Sequence, residues 1–118
     1  MMAGMNTFEA RNRARTIADR ALVLLRQAGD SPDFSFESRD ALRGMVVEAR
    51  GLLADAGYPA EAVWRALHRA SIGADTQLGN SDPHYWRDVR DELDQASATL
   101  TSLVEPGAGR EQDFRVVH

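Results

Sequence analysis

The feature that most constrains this chain is the spacing of apolar residues in its last third. Trp86, Val89, Leu93, Ala96, Leu100 and Leu103 follow one another at steps of three, four, three, four and three. At about 100° per residue that alternation puts all six on one stripe of an α-helix, the heptad seam of left-handed helix packing with crossing angles near about +20°. A strand would need period two, and no stretch of the chain sustains it.

The rest of the chain repeats the pattern between glycine and proline breaks. A first helix is predicted over residues 7–28, opened by Asn6 and Glu9 at capping-box spacing. It carries Ala10, Ala14, Ile17, Ala21, Leu24 and Ala28 inward, and Gly29 stops it. A second, over residues 36–56, begins around Ser35–Ser38, presents Leu42, Met45, Ala49, Leu52 and Ala56, and ends at Gly57. A third, over 59–72, has Pro59 in its first turn, where a missing N–H costs nothing, and Gly73 after its last. Its stripe is Ala60, Val63, Leu67 and Ala70, with Trp64 beside it. The fourth, over 83–104, starts with Asp82 as cap and Pro83 at the first position. Four seams of this kind predict an all-α fold, an antiparallel four-helix bundle occupying residues 1–105 as a single domain, with a short C-terminal tail at 106–118. A parallel coiled coil is disfavoured because Gly and Pro interrupt the heptads every twenty-odd residues. The polar stretch Gly73–Ser81 reads as the longest internal loop. Phe114, Val116 and Val117 give the tail enough apolar weight to dock.

Composition narrows the chemistry. The 118 residues are 43% apolar and 27% charged, the balance of a folded chain and not of a disordered one. With no cysteine there is no disulfide, thiol nucleophile or thiolate metal site. All 14 basic residues are arginine, which removes Schiff-base and P-loop lysine chemistry. No apolar run reaches membrane-span length and the Met1–Met5 start has no signal-peptide core, so a cytoplasmic protein with no membrane partner is expected. The net charge of -4 argues against non-specific nucleic-acid binding as the main role. The charge is uneven: residues 1–28 carry five arginines against Glu9 and Asp19, whereas residues 82–118 carry eight acids against four arginines. The first and last helices are therefore expected to face each other.

Several residue groups are candidate sites. Arg11, Arg13 and Arg15 form a basic cluster suited to phosphate, although 100° steps turn them to different sides. His84, Asp88 and Asp91, with Gln95, share an outward stripe of the fourth helix that could meet a metal ion. The pairs Glu37–Asp40 and Asp88–Asp91 have the carboxylate spacing of helical nucleotide pyrophosphohydrolases, a likeness of spacing alone. No cofactor is implied. No serine lies in a Gly-x-Ser-x-Gly elbow, and His68 sits at the border of its helical stripe, so no catalytic triad is predicted.

Three features read as binding surface. Ala21–Leu25 is apolar on every side, and with Ile17, Ala21 and Leu24 facing inward, Leu22 and Val23 are expected to point away from the core. Gly44 and Gly51, seven apart, share one stripe of the second helix and read as a groove. Tyr85 and Trp86 form an aromatic corner. Gly57-Tyr58-Pro59 through Val63 and Ala66-Leu67 resembles the Gly-aromatic loop and second helix of ubiquitin-associated domains over about a dozen residues, and departs from them after Ser71. No function follows from that resemblance.

The reading is of a small non-enzymatic interaction or regulatory module, such as an adaptor, an antitoxin or a phage-type inhibitor of a host complex. Its partner would be another protein or a second copy of itself. The alternatives are a metal- or nucleotide-dependent hydrolase using carboxylates of the second and fourth helices, and nucleic-acid binding through the first.

Overall fold

The computed structural model of the chain describes residues 6–29, 34–76 and 83–104. Asn6 opens the first helix, its side chain accepting a hydrogen bond from Glu9 N at 2.7 Å, and α1 runs Thr7–Ala28. Gly29 ends it at φ 81°, a conformation that side chains with a Cβ rarely adopt. Ser35 caps α2, Phe36–Gly51, through Ser38 N. A single non-helical residue, Leu52, separates α2 from the short α3, Leu53–Ala56, which Gly57 stops at φ 80°. The helices α4, Tyr58–Thr76, and α5, Pro83–Val104, complete the fold. The described residues are almost wholly helical and include no strand, so the all-α helical bundle is established.

Two boundaries differ from the sequence reading. The helix expected over 36–56 is broken at Leu52, whose N–H bonds back to Ala49 O at 3.1 Å in a tighter turn. Gly51 stands just before the break, and a Cβ placed on it would have nothing within 4 Å. Leu52 and Ala56 are both in the core. At the other boundary, Gly73 does not close its helix: α4 continues to Thr76 with Gly73 buried inside it. The polar stretch is accordingly shorter than expected, and its remainder at 77–81, the cap Asp82 and the tail at 106–118 lie outside the described residues.

Cross-helix contacts fix the topology. Along α1 and α5, Gly29 O accepts from Arg90, Arg26 meets Asp94 at 3.3 Å, and Asp19 accepts from Ser97 Oγ at 2.6 Å. Rising numbers on one helix meet falling numbers on the other, so the pair is antiparallel. The same holds for α4 with α5, through Arg69 to Glu92 and Gly73 against Tyr85, and for α2 with α4, through Arg43 to Asp75 and Arg50 to Trp64. The ends α1 and α5 are neighbours, as the charge asymmetry predicts. The Arg26–Asp94 pair is more than half exposed on both sides, so apolar burial, not the ion pair, is what holds the helices together.

The seams of α2, α4 and α5 bury the expected residues, among them Leu42, Met45, Val63, Leu67, Val89 and Leu93. Leu103 is the exception in α5: it is 43% exposed, and Val104 takes the inward place. In α1 the buried set is Ala10, Ala14, Ile17, Ala18, Ala21, Leu22 and Leu25. Contact with α5 on one flank and with α2, α3 and α4 on the other widens the stripe beyond a simple heptad seam.

Two glycines provide opposite tests of this packing. A Cβ on Gly73 would lie 2.6 Å from Tyr85 Cε2 and 3.1 Å from two atoms of the Trp86 ring, whereas one on Gly44 would have nothing within 4 Å. Gly73→Ala is expected to lower stability by about 1–3 kcal/mol through overpacking. Gly44→Ala is expected to raise it by about 0.5–1 kcal/mol through helix propensity. Urea denaturation of the two variants checks both signs.

Candidate functional site

The residues singled out from the sequence scatter over the bundle. Leu22 is 3% exposed and belongs to the core, which corrects the expectation that it points away. The inward centre of that turn is Ala21, Leu22 and Leu25, with Leu24 half-buried at the edge. Val23, 55% exposed, is the one of the pair that faces out.

The Tyr85–Trp86 corner is likewise occupied by the chain itself. Trp86 is 1% exposed, its ring 5.1 Å from Phe34 and 5.2 Å from Tyr85, centroid to centroid, and its six-membered edge over Gly73. The Tyr85 hydroxyl donates to Arg69 O one helix away, and the Arg69 guanidinium lies 5.4 Å from the Tyr85 ring centre. These two aromatics lock α5 to α4 and to the entry of α2, and Trp86 offers no surface to a partner.

The arginine cluster divides. Arg11 Nε donates to Ala56 O at 3.1 Å, capping α3, and Arg15 donates to Asn12 at 2.8 Å, while Arg13 is exposed on another side. They make no common phosphate-facing surface. His84, Asp88 and Asp91 share the outward stripe of α5, but no three His, Asp or Glu among the described residues come together as a metal site. The pairs Glu37–Asp40 and Asp88–Asp91 belong to no such group either. The only buried polar residue among those described is Ser71, and every described acid and histidine is at least partly exposed.

What remains open is the outer face of α2. Gly44 and Gly51 are exposed with empty space where a side chain would stand, and between them Val47 is 72% exposed. Val47 lies one helical turn from both Arg43 and Arg50. Arg43 is held by Asp75 of α4 at 2.7 Å, and Arg50 lies over the Trp64 ring at 5.7 Å, with His68 stacked on that ring at 5.8 Å. Phe36, 64% exposed, stands at the start of the same helix. The sequence reading found the glycine stripe but not Val47 or the Arg50–Trp64–His68 stack. The i to i+4 spacing of Trp64 and His68 was a signal for the stack, whereas Arg50 joins it only through the α2–α4 pairing.

Comparisons of the chain with known protein families, with curated proteins and with solved structures each find no match. Among the described residues no helix is long and apolar enough to cross a membrane.

Two outcomes follow from these placements. Leu22→Glu is expected to cost about 3 kcal/mol or more, since it buries a carboxylate in the core, while Val23→Glu stays within about 0.5 kcal/mol of the parent. Chemical denaturation of the two single variants separates them.

Burial pushes the Tyr85 phenol above its ordinary value of 10.0. The nearby Arg69 opposes that rise by its charge and by hydrogen bonding, and Glu92 adds to it. The folded chain thus holds this proton more tightly than the unfolded one. The contribution to stability is complete below about pH 10 and is lost as pH rises through the folded value. Lysine is absent, so no amine side chain titrates in the same range to obscure the effect. Thermal melts across that range are expected to show Tm falling, with a shallower fall for Tyr85→Phe.

Proposed function

We propose that this chain is a non-enzymatic helical interaction module whose partner is another protein, bound on the outer face of α2 and its flank on α4. The observation that carries the reading is Val47, largely exposed between two helix glycines with open space above both. Glycine in an exposed helix interior, as at Gly44, costs about 1 kcal/mol relative to alanine. Two of them on one stripe let a partner backbone approach closely, and Val47 supplies the apolar contact between. Arg43, Arg50 and Trp64 frame the stripe with residue types that dominate binding energy at protein interfaces. Both arginines are already held, by Asp75 and by the Trp64 ring, so less side-chain freedom is lost on binding.

The test is Val47→Glu combined with Gly51→Gln. Both positions are exposed, so the melt is expected to stay close to that of the parent. Affinity capture from native host lysate with parent and variant side by side is expected to lose the specific partner. A variant that keeps every captured protein and the parent oligomeric state places binding elsewhere on the molecule.

A further inference from the structure

The α4–α5 seam is filled along only part of its length. At one end the rings of Tyr85 and Trp86 pack over Gly73. Towards the other end the facing residues shrink to Pro59, Ala62 and Ala96, and a groove of about 330 Å³ remains between the helices. Its walls carry opposite charges: Arg65 bonded to Glu61 at 2.7 Å, and Arg69 bonded across the seam to Glu92 at 2.6 Å. Tyr58, 75% exposed, lines the groove, and Leu103, 43% exposed, lies one turn beyond the lining residue Thr99. Large apolar side chains thus stand uncovered where α5 ends at Val104.

The chain that continues from this point has the composition to turn back. Residues 105–109 are Glu-Pro-Gly-Ala-Gly, rich in residues that reverse chain direction. Five extended residues, 110–114, then span roughly 17 Å, the rise of about eleven helical residues. Counted back from Val104, a chain of that length would be long enough to bring residue 114 level with Leu93–Ala96, beside the groove. Asp113 and Arg115 flank Phe114 and are complementary to the arginines and glutamates of the two walls.

We propose that this groove is the intramolecular seat of Phe114, so that the segment following α5 folds back over the α4–α5 seam and covers Tyr58 and Leu103. The seat lies on a different seam from the outer face of α2 and does not rest on the function proposed for that face. Its small residues provide room for one aromatic side chain, and its paired charges provide partners for the residues on either side.

The absence of cysteine makes the test direct, because Gln112→Cys gives a single attachment point for a nitroxide spin label. In ¹⁵N-labelled protein, the amide signals of Ala62, Ala96 and Thr99 are expected to lose most of their intensity. Phe114→Ala should restore them while the remaining spectrum is unchanged, and Phe114→Trp should keep the broadening. Uniform weak broadening, broadening centred on another face, or persistence in Phe114→Ala overturns the proposal. So does broadening that arises only between molecules when spin-labelled ¹⁴N protein is mixed with unlabelled-tail ¹⁵N protein, since the occupant is then a second copy.

Discussion

Trp86 can be buried where it is only because residue 73 has no side chain. The indole edge of α5 rests on the bare backbone of α4, Tyr85 closes one side with its hydroxyl on Arg69 O, and Phe34 closes another from the approach to α2. Two helices and the segment that leads into a third meet at this contact. It brings α5 close to α4 at one end of their seam and fixes the register that pairs Arg69 with Glu92. The same register leaves the facing alanines farther along, where no large side chain fills the space. An aromatic residue of this size contributes through area and shape together, and both are lost if the floor beneath it rises by one methyl group.

Electrostatics act on this frame as trim. The helix pairs are joined by Arg26–Asp94, Arg43–Asp75 and Arg69–Glu92, all formed by arginine and all partly or largely solvent-exposed. Such pairs add little net stability, but each links two helices at a defined level. A planar guanidinium also serves where an ammonium would serve less well: Arg50 and Arg69 lie over the Trp64 and Tyr85 rings, and Arg11 reaches a backbone carbonyl at the end of α3.

Much of the fold is legible in the sequence because it is local. The caps at Asn6 and Ser35, the glycine stops at 29 and 57 and the seam of α5 through Leu100 are set by residues within a turn or two of one another. What is not legible depends on neighbours distant in sequence. Leu22 is buried because α1 is flanked on two sides, which its own pattern does not encode. Gly73 reads as a terminator in isolation and becomes an interior helix residue only once the rings of Tyr85 and Trp86 cover it. For the candidate surface, the stripe of Gly44 and Gly51 is a periodicity and was visible. The exposure of Val47 depends on which face of α2 meets α4, and Trp86 failed as a surface residue for the same reason in reverse.

The α1–α5 pairing has a kinetic consequence. Its contacts join residues separated by 61, 68 and 78 positions, whereas those of α2 with α4 and α4 with α5 join residues 32, 23 and 16 apart. Closing the longer loops costs more chain entropy before any contact forms. Helices α2 to α5 can therefore assemble as a nucleus on which α1 docks last.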